Sequence, residues 1–403
     1  LWKEIYWFLV GEANIYLLEA FMIHKRLFSV LFVIFLAGCF PQHKVYYPLD
    51  ATDTTYSGLR DYLNVHNKLH VVFIHGMGLG RPDMTFEELY SSPKDDEIVA
   101  IVHAFGWGNS VLTRMDKSPP DSLVKVFRYE ISTNDQGLIF HVINYARFFA
   151  FSPETSPYDG IEDTVIGNSK KTLYENDLPL SREGAIGNAT LKKGLITWGL
   201  ADAATFLDFY KRAVITDELA QVLRTIYLEV NPPDKPANGT LCFITQSLGS
   251  KVLFDTLAKI YDLNIPREPG LSPPTPFDIL GNTQTIYMMA NQLPLLELGT
   301  EVDQSYEWEE LFRGNKGNKI GNTGFSVPDA LTLVAYSDPN DLLTYPIVPT
   351  IRQFVGERTK LTAIDVMVNN SVSIFGLFGD PLRAHTGHFD NRMLMNYLVE
   401  GTK

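Results

Sequence analysis

The most constraining stretch of the chain is an apolar run, Leu241-Cys242-Phe243-Ile244, that leads through Thr245-Gln246 into Ser247-Leu248-Gly249. Behind it, Val252, Leu253, Phe254, Leu257, Ile260 and Tyr261 recur at the spacing of one helix face. A strand that stops at a serine beside a small residue and passes at once into a helix is the layout of a nucleophile elbow. The tight turn lifts the hydroxyl clear of the sheet edge. The start of the helix leaves unpaired N–H groups facing any negative charge that develops there.

The rest of the pattern agrees with a sheet of this type. Apolar runs recur at 69–74, 123–129, 240–245, 285–290 and 331–336, with helical spacing between several of them. Alternating runs of this kind predict an α/β fold, a mostly parallel sheet flanked by helices. One helix is explicit. Leu219, Val222, Leu223, Ile226, Tyr227 and Val230 share a face, with Asp217 and Glu218 expected in its first turn. It should pack on the sheet just ahead of the elbow strand. Residues 107–200 are rich in Pro, Ser, Asn and Gly and carry aromatic clusters that include Tyr145, Phe148, Phe149, Phe151 and Tyr158. Apart from one expected strand at 123–129 they have no clean period, and a segment of that length reads as a cap-like insertion over a site. Gly314–Phe325 reads as a mobile surface turn, since its Gly-Asn-Lys-Gly-Asn-Lys run lacks the ending of a phosphate-binding loop.

The front of the chain reads as a processing segment. Lys25-Arg26 precede the apolar run Leu27–Phe35, followed by Leu36-Ala37-Gly38-Cys39. A basic region, a short apolar region and small residues describe an export signal. The run falls short of the ~20 residues that span a bilayer, although an uncleaved anchor helix is the rival reading. Residues 1–21 lack this pattern, and Met22 stands where such a signal would start, so the first 21 residues read as a mis-assigned extension. Residues 40–57 form a polar tether and 58–403 the folded domain. Of two cysteines, Cys39 directly follows the expected signal segment, residues 1–38, and Cys242 lies in an apolar strand, which leaves no intramolecular disulfide and no cysteine zinc site. A formal charge of -13 argues against nucleic acid as a partner and offers no polybasic membrane patch.

Ser247 needs a base to take its proton. The candidates must lie after a suitable acid if the chain order is serine, acid, histidine. The run Leu331–Tyr336 leads into Ser337-Asp338-Pro339-Asn340-Asp341, where Asp341 is favoured as the acid and Asp338 is the alternate, its rival role being to shape the turn with Pro339. Of nine histidines, His385 and His388 follow these aspartates. His385 is taken as the base, in a short loop ahead of the last helix, with His388 lining the pocket or serving as the alternate base. The second apolar run that ends in a polar turn is Val71-Val72-Phe73-Ile74-His75-Gly76-Met77-Gly78. The backbone N–H of Met77 and that of Leu248 are the candidate oxyanion donors. A dinucleotide-binding turn at Gly76, Gly78 and Gly80 is the poorer reading, because Arg81-Pro82-Asp83 follow instead of an apolar helix.

Taken together, Phe73-Ile74-His75-Gly76, Ile244–Ser250, Met289-Ala290-Asn291-Gln292, Ala335–Leu342 and Ala384–His388 resemble the α/β-hydrolase superfamily, and within it bacterial lipase/esterase-like proteins. The resemblance covers roughly 65–400. It implies an eight-stranded, mostly parallel sheet and serine esterase chemistry but no particular substrate; the aromatic-rich insertion points to an ester or lipid-like one, and no cofactor or metal is expected. Thr245 departs from the pattern, since the commonest elbow has glycine there. Amidase or peptidase action, or a non-catalytic envelope module on the same fold, are the alternatives. Leu36-Ala37-Gly38-Cys39 likewise resembles a bacterial lipobox, which implies acylation at Cys39 and attachment to the cell envelope. Phe40 after the cysteine favours the outer membrane.

Overall fold

The computed structural model describes residues 55–76, 95–108, 112–118, 122–133, 135–145, 203, 206–262, 276–297, 331–354, 361–371 and 379–402. Along these the chain runs through β1 (Tyr56–Ser57), α1 (Leu59–His66), β2 (Lys68–Ile74), α2 (Asp95–Ala104), β3 (Thr113–Asp116), β4 (Lys125–Ser132) and β5 (Gly137–Asn144). It continues through α3 (Phe209–Val230), β6 (Thr240–Gln246), α4 (Gly249–Asp262), α5 (Pro276–Gly281), β7 (Thr283–Met289) and α6 (Leu293–Glu297). The last elements are β8 (Thr332–Ser337), α7 (Ile347–Phe354), β9 (Thr362–Met367), α8 (Pro381–Thr386), α9 (Arg392–Glu400) and β10 (Gly401–Thr402).

Eight strands make one sheet in the order β3-β4-β5-β2-β6-β7-β8-β9. From β5 to β9 every neighbouring pair is parallel, while β4 runs antiparallel to both β3 and β5. The apolar runs are continuous because each strand feeds two cores. Val72 and Ile74 of β2 pack with α3, α4 and α7, whereas Val71 and Phe73 pack on the other face with α1, α2 and α9. A strand buried on both faces has no polar side to alternate with. The result is a three-layer α/β arrangement, helices on both faces of a mostly parallel sheet.

Three local expectations change. Residues 107–200 contribute three strands to the sheet instead of one: β4 is joined to β5 through a turn closed by Thr133 N–H and the Gln136 carbonyl, and β3 adds an outer strand. β3 had no apolar signal because it is a polar edge, Thr113-Arg114-Met115-Asp116. The remainder of that insertion, from 146 to 202, lies outside the described residues, as do 1–54 with the export signal, Cys39 and most of the tether, and Gly314–Phe325. The helix expected near 217 begins at Phe209, so Asp217 and Glu218 sit in mid-helix. Glu218 instead anchors the approach to β4, where its carboxylate accepts from Ser122 Oγ (2.9 Å), Leu123 N (3.0 Å) and Val124 N (3.1 Å). The tether also ends sooner than expected. Tyr56 and Ser57 form β1, pair antiparallel with β10, and bind tyrosines of the sheet, Tyr56 OH to Tyr336 OH (2.9 Å) and Tyr287 OH to the Ser57 carbonyl (2.6 Å). Among the described residues no helix is long and apolar enough to cross a membrane.

Candidate active site

The site forms at the C-terminal edge of the parallel strands. Ser247 follows β6 and has φ 54, the left-handed region, which costs an L-residue roughly 1–2 kcal/mol. Its N–H is held by the Met289 carbonyl at 2.8 Å. Two glycines let the turn lie against the end of β2. A Cβ on Gly76 would come within 2.6 Å of Ser247 Cβ, and one on Gly249 would collide with the Ile74 carbonyl and lie 2.7 Å from that of His75. Thr245, where glycine is commoner, is fully buried, and its hydroxyl pairs with Ser250 Oγ at 2.8 Å. Strand and helix therefore accommodate the extra side chain by a hydrogen bond between them. The helix behind the serine is anchored in depth: the buried Lys251 ammonium meets Asp255 at 2.7 Å and Glu297 of α6 at 2.9 Å.

The three side chains named from the sequence meet. His385 Nε2 lies 2.9 Å from Ser247 Oγ, and His385 Nδ1 lies 2.7 Å from Asp341 Oδ2. All three are buried. Because a carboxylate can only accept, Nδ1 carries the proton and Nε2 is left to accept from the serine hydroxyl. Asp341 sits after β8, as expected, and its carboxylate also accepts from Leu343 N (2.9 Å) and from the Thr344 hydroxyl. Burial works to raise this carboxyl, but the His385 hydrogen bond and charge, with Thr344 and Leu343, outweigh it and hold it below its ordinary range. His385 lies in the six-residue helix α8 where a loop was expected. Asp380 caps that helix, accepting from Leu382 N and Arg383 N, and proline opens it.

The alternates lie elsewhere. Asp338 is committed to the turn: its carboxylate accepts from Asn340 N (2.8 Å), Asn340 Nδ2 (3.1 Å) and Asn370 N (2.5 Å). His388, expected to line the pocket, is fully buried behind the His385 turn, where its Nδ1 donates to the His385 carbonyl at 3.1 Å. Burial pushes its imidazole down to about 4. Of the two candidate oxyanion donors, Met77 lies outside the described residues. Leu248 is fully buried directly behind Ser247, and its N–H has no acceptor among the described residues. Sequence reading missed Thr344, Tyr145 and the Asn370–Asn391 pair that bridges the acid turn to α8 and α9; each acts through a tertiary contact that leaves no local pattern.

Among the described residues one group has spacing that could suit a metal ion, His70, His141 and Glu229, with ligand atoms within 4.8 Å of one another. Its members are engaged otherwise. His70 Nδ1 and His141 Nε2 share a hydrogen bond of 3.0 Å, His70 Nε2 donates to the Asn238 carbonyl at 3.1 Å, and Arg128 holds Glu229 at 3.1 Å. A guanidinium on the would-be carboxylate ligand opposes a cation there.

Comparison of the chain with protein-family models, with curated proteins and with solved structures returns no match. A hydroxyl hydrogen-bonded to an imidazole that is oriented by a carboxylate can act as a nucleophile, and the N–H behind it can hold an oxyanion.

Proposed function

We propose that this chain is a serine hydrolase of α/β-hydrolase fold that cleaves carboxylic esters through an acyl-enzyme. The observation that carries the reading is the continuous hydrogen-bonded line from Asp341 through His385 to Ser247. The elbow strain at Ser247 and the strand order around it support the fold assignment. Ser247 Oγ attacks the ester carbonyl carbon while His385 Nε2 takes its proton. The tetrahedral oxyanion is held by Leu248 N–H and, by the sequence resemblance, Met77 N–H. One such donor is typically worth ~3 kcal/mol. Collapse expels the alkoxide, which takes the proton from His385, and leaves the acyl group on Ser247. Water then attacks the acyl-enzyme with His385 again as base, and the acid leaves. Asp341 stays ionised throughout and faces the transient imidazolium.

We further propose that the enzyme is a lipoprotein of the bacterial envelope, acylated at Cys39 and held at the outer membrane, acting on an ester or lipid-like substrate. The support is the leader ending in Leu36-Ala37-Gly38-Cys39. Two measurements test these readings. A fluorophosphonate should form one adduct, on Ser247, and p-nitrophenyl esters of short acids should be hydrolysed; a wild-type protein inert to both sinks the enzyme reading. Mass spectrometry of the mature N-terminus should find an acylated Cys39, and an unmodified peptide running through it would overturn the lipoprotein reading.

A further inference from the structure

Tyr145, the residue after β5, belongs to no part of the nucleophile, acid or base. It nevertheless contacts the turn that faces the nucleophile in three ways. Its ring stacks on that of His75, centroids 4.5 Å apart and planes 5° from parallel. Its hydroxyl donates to the His75 carbonyl at 2.8 Å, and its own N–H donates to His75 Nε2 at 3.3 Å. The sheet register brings this about. Ile74 of β2 pairs with Ile143 of β5, so the next residues, His75 and Asn144, sit side by side at the sheet edge. Asn144 Oδ1 lies 3.2 Å from the same His75 nitrogen, a contact between two acceptors unless the amide turns to present Nδ2.

His75 passes the constraint on. Since its Nε2 accepts from Tyr145, its Nδ1 carries the proton and donates to the Gly76 carbonyl. Gly76 in turn lies against Ser247, with space for no side chain between them, and the His75 carbonyl is wedged against Gly249 at the start of α4. Tyr145, His75, Gly76 and Ser247 thus form one buried stack, in which Tyr145 and Ser247 are 0% and 2% exposed. Leu248, whose N–H is the described candidate donor, lies between Ser247 and Gly249, the two residues this backbone presses on.

We infer that Tyr145 is a positioning residue for the oxyanion side of the site: its ring and hydroxyl fix the His75–Gly76 backbone against the Ser247 elbow. This rests on the hydrolase reading above. Donors of an oxyanion hole act by being held in place before charge develops, so a small displacement lowers the rate of acylation without weakening ground-state binding. A misplacement on the order of 1 Å can cost a site about 100-fold, and loss of one supporting hydrogen bond should displace the turn by less.

The test uses the full-length protein, with active sites counted by the end-point of fluorophosphonate labelling so that unfolded molecules do not enter. Tyr145→Phe keeps the ring stack and deletes only the hydroxyl bond. It should lower kcat about tenfold and leave KM within about twofold, the signature of an interaction made in the transition state. A matched ester and thionoester sharpen the assignment, because sulfur is the larger atom and the poorer acceptor. Wild type should strongly prefer the oxygen ester, and Tyr145→Phe should lose much of that preference. Tyr62→Phe, which deletes a tyrosine hydroxyl bond to Thr285 away from the site, should leave the ester-to-thionoester ratio at the wild-type value. An active wild type whose Tyr145→Phe variant keeps both kcat and that ratio, or a Tyr62→Phe variant that shifts the ratio equally, overturns the positioning role alone. A wild type inert to phosphonate and ester overturns the hydrolase reading and this role with it.

Discussion

Two buried histidines, His385 and His70, lie toward opposite ends of the same set of strands and meet different fates. At the C-terminal edge His385 stands between a carboxylate and a hydroxyl. Toward the N-terminal edge His70 stands between a second imidazole and a backbone carbonyl. Burial drives His70 down to about 4, and it drives His141 well below its ordinary value. Neither has a carboxylate within its hydrogen bonds to offset that loss, and Arg128 and Lys68 add unfavourable charge to His70. The contrast is one of partners: the His385 imidazole is set between an anion and a hydroxyl, whereas those of His70 and His141 tie neighbouring strands together.

The largest effect that separates the two should be on turnover. Ser247→Ala should abolish phosphonate labelling, and His385→Ala should lower kcat on the order of 10³-fold or more, since the hydroxyl loses its acceptor. Equal losses at His70 would break the distinction. Next comes the carboxylate. Asp341→Asn should cost about 10²- to 10⁴-fold by presenting the wrong tautomer, whereas Asp338→Asn should chiefly lower the melting temperature; the reverse ranking in paired kinetic and melting assays would move the acid to Asp338. A smaller effect is expected at His388. Its bond to the His385 carbonyl supports the base from behind, so His388→Ala should reduce kcat roughly tenfold with little change in KM. A change confined to KM would restore it to the pocket wall.

The smallest effect concerns stability alone. His70→Asn should leave kcat per titrated site unchanged. Because the folded protein resists protonating His70, the unfolded chain binds the extra proton below its ordinary value near 6.5. The stabilisation is therefore complete above that pH and is lost as pH falls toward about 4. His388, also pushed down to about 4, acts with the same sign. Asp365 acts oppositely. Burial, only partly countered by Ile347 N–H and Val348 N–H, raises it to about 6, so its contribution is present at low pH and fades as pH rises through that value. The useful quantity is thus the difference between wild type and His70→Asn in denaturant melts across this window, which should flatten the slope by up to ~1.4 kcal/mol per pH unit. An unchanged slope would mean that His70 is protonated in the fold.

What could be read from the chain follows the same physics. β2, β6, β7 and β8 were legible because burial between two cores makes their apolar runs continuous. β9 escaped because Asp365 interrupts its run, and that carboxylate is present to accept from the first N–H groups of α7. Ser247, Asp341 and His385 were legible through their order and their strand contexts. Asp341 was favoured over Asp338 by its distance past the strand end, and the three-dimensional contacts of the two carboxylates then set them apart. Thr344 gave no signal, and Tyr145 stood out only as one of a cluster read as part of a cap, whereas it directly follows β5: each acts on a partner reached through the fold, Tyr145 across 70 positions.

The pairing of β1 with β10 has a mechanical consequence. Antiparallel contact of Tyr56 with Thr402 and of Ser57 with Gly401, backed by the tyrosine bonds to Tyr336 and Tyr287, clamps the chain before it enters α1 and β2. Any pull on the segment ahead of Tyr56 is borne first by that clamp, as strain relief on a cable spares the connector. Movement ahead of Tyr56 is thereby decoupled from β2 and from the His75–Gly76 turn at its end. A domain fastened in this way can be tugged or tilted at its front without the Ser247 turn feeling the load.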